Sequence, residues 1–207
     1  MEIITRELEE QGILLPPDIA PVVKRVIHAT ADFDYARNLV FTPGAAELGA
    51  AALARGGVIV TDTNMARSGI SASGLEKLGG RAVCFMADPE VARLAKSRGT
   101  TRAAAAMEKA CRLHPGALLA VGNAPTALLQ LEEEIRRGLR PALVAAVPVG
   151  FVNVVQAKEM ILDLCREKEI PAIVALGRKG GSTVAAALCN ALIYSAAGLL
   201  DPAARGW

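Results

Sequence analysis

The only side chains in these 207 residues whose ordinary titration range lies near neutral pH are two histidines, His28 and His114. His28 is followed by the carboxylates of Asp32 and Asp34, which could orient or charge its imidazole ring. Two interpretations of His28 remain open from the residues alone: a general acid or base, and a surface or structural histidine. His114 directly precedes Pro115, and we interpret it as a helix-end residue.

The segment that carries His28 has the apolar spacing of an amphipathic helix. The apolar side chains of one helical face are Ile19, Val22, Val23, Val26 and Ile27. At about 100° per residue, His28 lies on the opposite side from this face. We therefore expect His28 off the core face and near the helix C-terminus, where the helix dipole favours a protonated ring, although Lys24 one turn earlier opposes this.

A glycine-rich segment, Gly177–Ser182, could bind an anion through backbone amides together with Arg178 and Lys179. It matches neither GxGxxG nor GxxxxGK[ST], so a nucleotide fingerprint is absent. The alternative interpretation is a tight strand-to-helix turn with two solvated cations.

Composition excludes several classes of protein. Hydrophobic residues make up 52% and the net charge is only +2, which disfavours disorder and a nucleic-acid-binding surface. The four cysteines, Cys84, Cys111, Cys165 and Cys189, have no zinc-ligand spacing, so we expect buried thiols, no metal site and a reducing cytoplasm. The start of the chain is acidic rather than leader-like, and Val184–Leu200 predicts a buried helix rather than a membrane span.

The fold is predicted from alternating strands and helices. Five short apolar runs predict buried strands at Gly57–Thr61, Ala82–Met86, Ala117–Val121, Ala142–Val147 and Ala172–Leu176. Helices are predicted at Pro43–Arg55, Asp88–Ser97, Thr101–Leu113, Pro125–Arg137, Asn153–Lys168 and Lys179–Leu199. This alternation predicts an α/β, three-layer, flavodoxin-like fold with a five-stranded parallel sheet in the order 2-1-3-4-5 and additional N-terminal helices. We expect a single domain over residues 1–207.

The segments after the five strands are unusually polar. Because ligands bind outside the carboxyl ends of parallel strands, these segments are expected to carry the chemistry. Each of them alone is also compatible with an ordinary turn or helix cap.

Several of these segments together resemble the precorrin-8X methylmutase family, also called cobalt-precorrin-8 methylmutase or precorrin isomerase. The resemblance rests, in chain order, on residues 25–36 (RVIHATADFDYA), 62–65 (DTNM), 122–127 (GNAPTA), 148–152 (PVGFV) and 177–182 (GRKGGS). Residues 153–156 (NVVQ) depart from the more usual small residues and glutamate of that family.

The resemblance implies a flavodoxin-like fold, a homodimer and no separate cofactor. It implies an isomerase of corrin biosynthesis that moves a methyl group between adjacent ring C carbons of precorrin-8X or cobalt-precorrin-8, giving hydrogenobyrinate or cobyrinate. The family's proton donor matches His28. One well-placed acid and a shaped pocket suffice for such a reaction.

A substrate of this kind is a large apolar macrocycle edged with carboxylates, so its site should combine small apolar walls with cations and hydrogen-bond donors. The candidate substrate-binding residues are Thr63, Asn64, Arg67, Thr101, Arg102, Asn123, Arg178 and Lys179. Each of these is also compatible with a solvated surface residue.

Two other functions compete with this interpretation. A non-catalytic tetrapyrrole carrier would use the same pocket, with His28 only hydrogen-bonding or binding cobalt. A flavodoxin-like nucleotide-binding enzyme is disfavoured by the missing phosphate motifs. An aromatic segment before the sheet contains Phe33, Tyr35 and Phe41. Two interpretations are open: these side chains form a dimer interface or a pocket wall, or they cover the edge of the sheet within one subunit.

Overall fold

The computed structural model describes residues 1–200, which form one six-stranded mixed sheet with helices on both faces. The strands are β1 (Leu39–Phe41), β2 (Val58–Thr61), β3 (Arg81–Val83), β4 (Leu118–Val121), β5 (Leu143–Ala146) and β6 (Ala172–Ala175). The helices are α1 (Glu2–Glu10), α2 (Ala20–Thr30), α3 (Tyr35–Asn38), α4 (Ala45–Ala54), α5 (Asn64–Gly69), α6 (Ala72–Lys77), α7 (Pro89–Arg98), α8 (Arg102–Leu113), α9 (Pro125–Arg136), α10 (Val154–Glu167) and α11 (Ser182–Ala196).

The sheet order is β1-β6-β5-β4-β2-β3. The five predicted strands are all present, and they are parallel and adjacent in the predicted order. The prediction of a five-stranded, purely parallel sheet is wrong, because β1 adds a sixth strand antiparallel to β6, with Val40 opposite Val174. A run of three residues is too short to show the alternation that identifies a strand.

Each central strand points alternate side chains into the two helical layers. In β4, Leu118 and Ala120 pack with α2, α4 and α11, whereas Leu119 and Val121 pack with α8, α9 and α10. All four side chains of this strand are buried. Burial on both faces explains why the strands are continuous apolar runs.

Small side chains let the helices approach closely. A Cβ atom at Gly69 of α5 would lie 2.8 Å from the Cβ of Ala186 in α11, and one at Gly49 of α4 would lie 2.7 Å from the side chain of Leu143. Small residues therefore allow close packing of α5 on α11 and of α4 on the sheet.

Helix α11 is buried as predicted, although it is shorter than the predicted Lys179–Leu199. It begins at Ser182 because Gly180 and Gly181 have φ values of 159° and 132°, which helical residues do not adopt. Within residues 1–200, no helix has the length and apolar character needed to cross a membrane.

The aromatic segment packs within the subunit. Tyr35 is buried, and Phe33 and Phe41 are partly buried against the same core. These side chains therefore give no support to the interface interpretation.

Candidate active site

His28 lies in the last turn of α2, on an exposed part of the helix surface. The buried face of this helix is formed by Val22, Val23, Val26 and Ile27. The helix ends at Thr30, and Ala31 caps it in the left-handed conformation with a φ of 53°. The prediction that His28 lies off the core face and near the C-terminus is confirmed.

A pocket of about 300 Å³ opens beside His28, between α2, α5 and α11. Its walls are Arg25, His28, Ala29, Met65, Gly69, Ser182, Thr183, Ala186, Ala187 and Asn190. Most of these side chains are small, and Arg25 is the one cation among them. The site can therefore hold a compact part of an acidic, apolar molecule next to an imidazole.

Thr63 joins two walls of this pocket. Its Oγ1 atom accepts a hydrogen bond from the backbone N–H of Ala66 (3.0 Å) and so caps α5. The same atom lies 2.8 Å from Oγ of Ser182, the first residue of α11. Thr63 thus sits one hydrogen bond behind the pocket rather than in its wall.

Asp62, which the sequence did not single out, organises the neighbouring loop. Its buried carboxylate accepts hydrogen bonds of 2.8 Å from the backbone N–H groups of Gly122, Asn123 and Ala124. Burial raises the pKa of Asp62, although these three donors pull it the other way. The carboxylate occupies the amides at the start of α9 that an external anion would otherwise use. The sequence feature that could have identified Asp62 is its position directly after a buried strand.

The glycine-rich loop, residues 177–181, crosses close under the end of β5. A Cβ atom at Gly180 would overlap the carbonyl oxygen of Val147, and the Gly181 N–H donates to that same oxygen at 2.8 Å. The guanidinium of Arg178 lies 5.6 Å from the ring centre of Phe151, which is 82% exposed. Arg178 therefore presents an exposed cation beside an exposed aromatic ring.

Lys179 is paired within the chain. Its Nζ atom lies 2.7 Å from Oδ2 of Asp32 and 2.6 Å from Oδ2 of Asp34. These carboxylates raise the pKa of Lys179, and the Lys179 ammonium in turn holds the pKa of Asp34 below its usual range. A substrate carboxylate would have to compete with both aspartates.

The remaining predicted residues are spread along the carboxyl edge of the sheet. Thr101 caps α8 and bonds Thr126 at 2.8 Å, and Arg102 is exposed at the next position. Asn64 and Asn123 are exposed as well. Arg67 does not line the His28 pocket; it lines another, of about 350 Å³, beside β3.

Sequence reasoning missed Arg25, the cation of the pocket. Its guanidinium lies 5.2 Å from the ring centre of Tyr194 in α11. It is one helical turn before His28, so it points to a similar side of α2. That spacing, together with the position of Arg25 in residues 25–36, is the sequence feature that could have identified it as a site residue.

The chain is similar in sequence to proteins of one known family. The precorrin-8X methylmutase family profile matches residues 1–195. A cobalt-precorrin-8 methylmutase from Leptospira interrogans is 44% identical over 177 residues, which are 83% of this chain and 80% of that protein. The corresponding protein from Salmonella typhimurium is 42% identical over 192 residues, covering 92% of this chain and 88% of its own length.

A solved structure agrees with the sequence relatives. A crystal structure described as precorrin-8X methyl mutase from Thermus thermophilus superimposes with a TM-score of 0.82 at 42% identity, covering 95% of this chain and 97% of that one. The profile, the curated relatives and the fold all point the same way, and the chain belongs to the precorrin-8X methylmutase family.

Proposed function

We propose that this chain moves a methyl group between adjacent ring C carbons of precorrin-8X or cobalt-precorrin-8, with His28 as the proton donor. Family membership makes it an isomerase of cobalamin biosynthesis. The observation that carries the catalytic assignment is the position of His28 on the wall of the pocket between α2, α5 and α11. A proton delivered there to the macrocycle would assist the shift, and the residue itself forms no bond to carbon.

The position of His28 suits a general acid. It lies in the last turn of α2, beside the pocket between α2, α5 and α11. It is exposed, so a large substrate can reach it without a change in the fold. The other histidine, His114, lies at the end of α8, where its ring stacks on Phe85.

The pocket accommodates one edge of the substrate. A volume of about 300 Å³ is at the small end of ligand sites, so the rest of a tetrapyrrole must lie outside it. Met65 and Phe151, which are 72% and 82% exposed, offer apolar surface at the carboxyl edge of the sheet. We place the remainder of the macrocycle across that edge.

The substrate's carboxylates would meet donors along the same edge. We retain the eight predicted residues as candidates: Thr63, Asn64, Arg67, Thr101, Arg102, Asn123, Arg178 and Lys179. The contacts favour Arg102 and Arg178, since both are exposed without an internal carboxylate pair in the described residues, and they favour Lys179 and Arg67 less. Arg25 joins the set because it lines the pocket.

We further propose that the chain acts as a homodimer, as the family resemblance implies. Exposed apolar side chains support this, since Phe151 and Val152 are 82% and 77% exposed in one loop. A second subunit over this loop would also enclose the macrocycle.

The cysteine pattern and the small net charge support a cytoplasmic enzyme without nucleic-acid partners. The order of the five parallel strands supports a flavodoxin-like classification.

One experiment separates the isomerase from the carrier. Purified protein is given metal-free precursor or cobalt-containing precursor, and conversion is followed by absorbance. An isomerase converts at least one of them over many turnovers, whereas a carrier binds but leaves the methyl group in place. The pair of substrates also shows whether the natural precursor contains cobalt.

A further inference from the structure

Lys158 is a fully buried lysine that the proposed reaction does not use. It lies on α10 with 0% of its surface exposed, on the same helical face as the buried Val154, Ile161 and Leu162. Within residues 1–200, no carboxylate forms an ion pair with it. Burying an ammonium group without a counter-ion costs free energy, so the groups that accept hydrogen bonds from Lys158 need to be identified.

Both hydrogen bonds of Lys158 go to the glycine-rich loop. Its Nζ atom donates to the carbonyl oxygen of Gly177 at 2.9 Å and to that of Lys179 at 2.8 Å. Arg178 lies between these two acceptors, and its own carbonyl oxygen accepts from the Gly150 N–H at 3.2 Å. The ammonium therefore fixes the backbone on both sides of an exposed cation at the candidate site.

The same loop reaches the helix that carries His28. The side chain of Lys179 holds Asp32 and Asp34, and the Asp34 N–H donates to Oδ1 of Asp32 at 3.0 Å. The Asp32 N–H in turn lies 3.3 Å from Oγ1 of Thr30, the last residue of α2. A continuous series of contacts thus runs from Lys158 through Lys179 to the last turn of α2.

We infer that Lys158 is a positioning residue, which sets the orientation of His28 and Arg178 by holding the backbone of the loop at Gly177 and Lys179. This rests on the proposed role of His28, but its main test does not need catalysis. A purely structural lysine would support the fold as a whole and would have no selective effect on His28.

The two histidines of the chain make a selective test practical. Imidazole resonances of His28 and His114 are recorded by NMR for the wild type, for Lys158→Met and for Glu159→Gln. Methionine keeps the length and apolar stem but cannot donate a hydrogen bond. Glu159 is the exposed neighbour on the same helix and has no described ion pair, so its variant is the matched control.

We expect Lys158→Met to shift the His28 resonances, leaving His114 unchanged, and Glu159→Gln to move neither. Turnover should fall about 10-fold or more in Lys158→Met, because small displacements of a catalytic group cost rate steeply. An unchanged His28 signal in the folded variant would overturn the inference, as would equal changes at both histidines, which indicate a general loss of structure.

A second variant covers the case in which Lys158→Met does not fold. Lys179→Met changes an exposed side chain and breaks the next contact of the series. It should shift His28 without shifting His114, and no His28 shift would contradict the series. If the shifts appear as expected while His28→Ala keeps full turnover, the positioning stands and the proposed catalytic role of His28 fails.

Discussion

The hydroxyl oxygens of Thr63 and Ser182 lie 2.8 Å apart and connect the starts of α5 and α11 behind the His28 pocket. Thr63 follows the buried residues Thr61 and Asp62 at the end of β2, and Ser182 directly follows the glycine-rich loop. The two pocket walls opposite His28 are therefore fixed to each other at the carboxyl edge of the sheet.

Thr63→Val should destabilise the protein more than Ser182→Ala. The first variant removes the α5 cap and the link to α11, whereas the second removes only the link. Loss of the cap costs about 1 kcal/mol, and that is the difference we expect between the two free energies of unfolding. Urea denaturation measures both, and equal losses would show that the cap contributes nothing.

Arg102→Ala and Arg178→Ala should each weaken product binding by about 1.5 to 3 kcal/mol, the range for hydrogen bonds to charged groups. Affinity should also fall with added salt. Arg137→Ala is the control, because Arg137 pairs with Glu133 and Glu134 on α9. Calorimetric titration with product checks this, and normal affinity in both test variants would remove them from the site.

The stability contribution of Lys158 should depend on pH. Burial lowers its pKa to about 8, whereas an unfolded lysine titrates near about 10.4. Between these values the unfolded chain holds more protons at this position, so the contribution rises with pH, by at most about 1.4 kcal/mol per pH unit.

The measurement compares the free energy of unfolding of the wild type with that of Lys158→Met between about pH 7 and about pH 10. Subtracting the two removes the other titrating groups. The difference should move in favour of the wild type as pH rises through this window. A flat trend would show that the folded lysine keeps its ordinary pKa, and an opposite trend would show that folding raises this pKa; either result would contradict the prediction.

Light scattering should give a mass of twice the 21.5 kDa chain. Mixing inactive His28→Ala subunits with Arg178→Ala subunits should then restore part of the activity if one site uses both chains. A monomer at micromolar concentration would exclude the dimer. No recovery after verified subunit exchange would confine each site to one chain.

The strands of the central sheet could be predicted because they are buried on both faces and therefore continuous apolar runs, as in residues 118–121. The edge strand Leu39–Phe41 could not, because it has three residues and only one neighbouring strand. The start of α5 at Asn64, with Thr63 as its cap, could not be distinguished from an ordinary turn after the strand, because turns and helix caps favour the same polar residues.

The candidate site was predictable in part. His28 could be placed from helical periodicity, whereas none of the eight predicted substrate-binding residues lines the pocket beside it. The internal pairing of Lys179 with Asp32 and Asp34 joins residues 145 or more positions apart and has no local sequence pattern. Lys158 did carry a signal, since a lysine between Val154 and Ile161 on an apolar face requires buried acceptors.

The most direct test of the catalytic assignment is the turnover of His28→Ala beside that of His114→Ala, with product affinity measured for both. Loss of a general acid lowers the rate by at least about 100-fold. We predict this loss for His28→Ala with product binding retained, and near-normal turnover for His114→Ala. Near-normal turnover of folded His28→Ala would contradict the assignment of His28 as the proton donor.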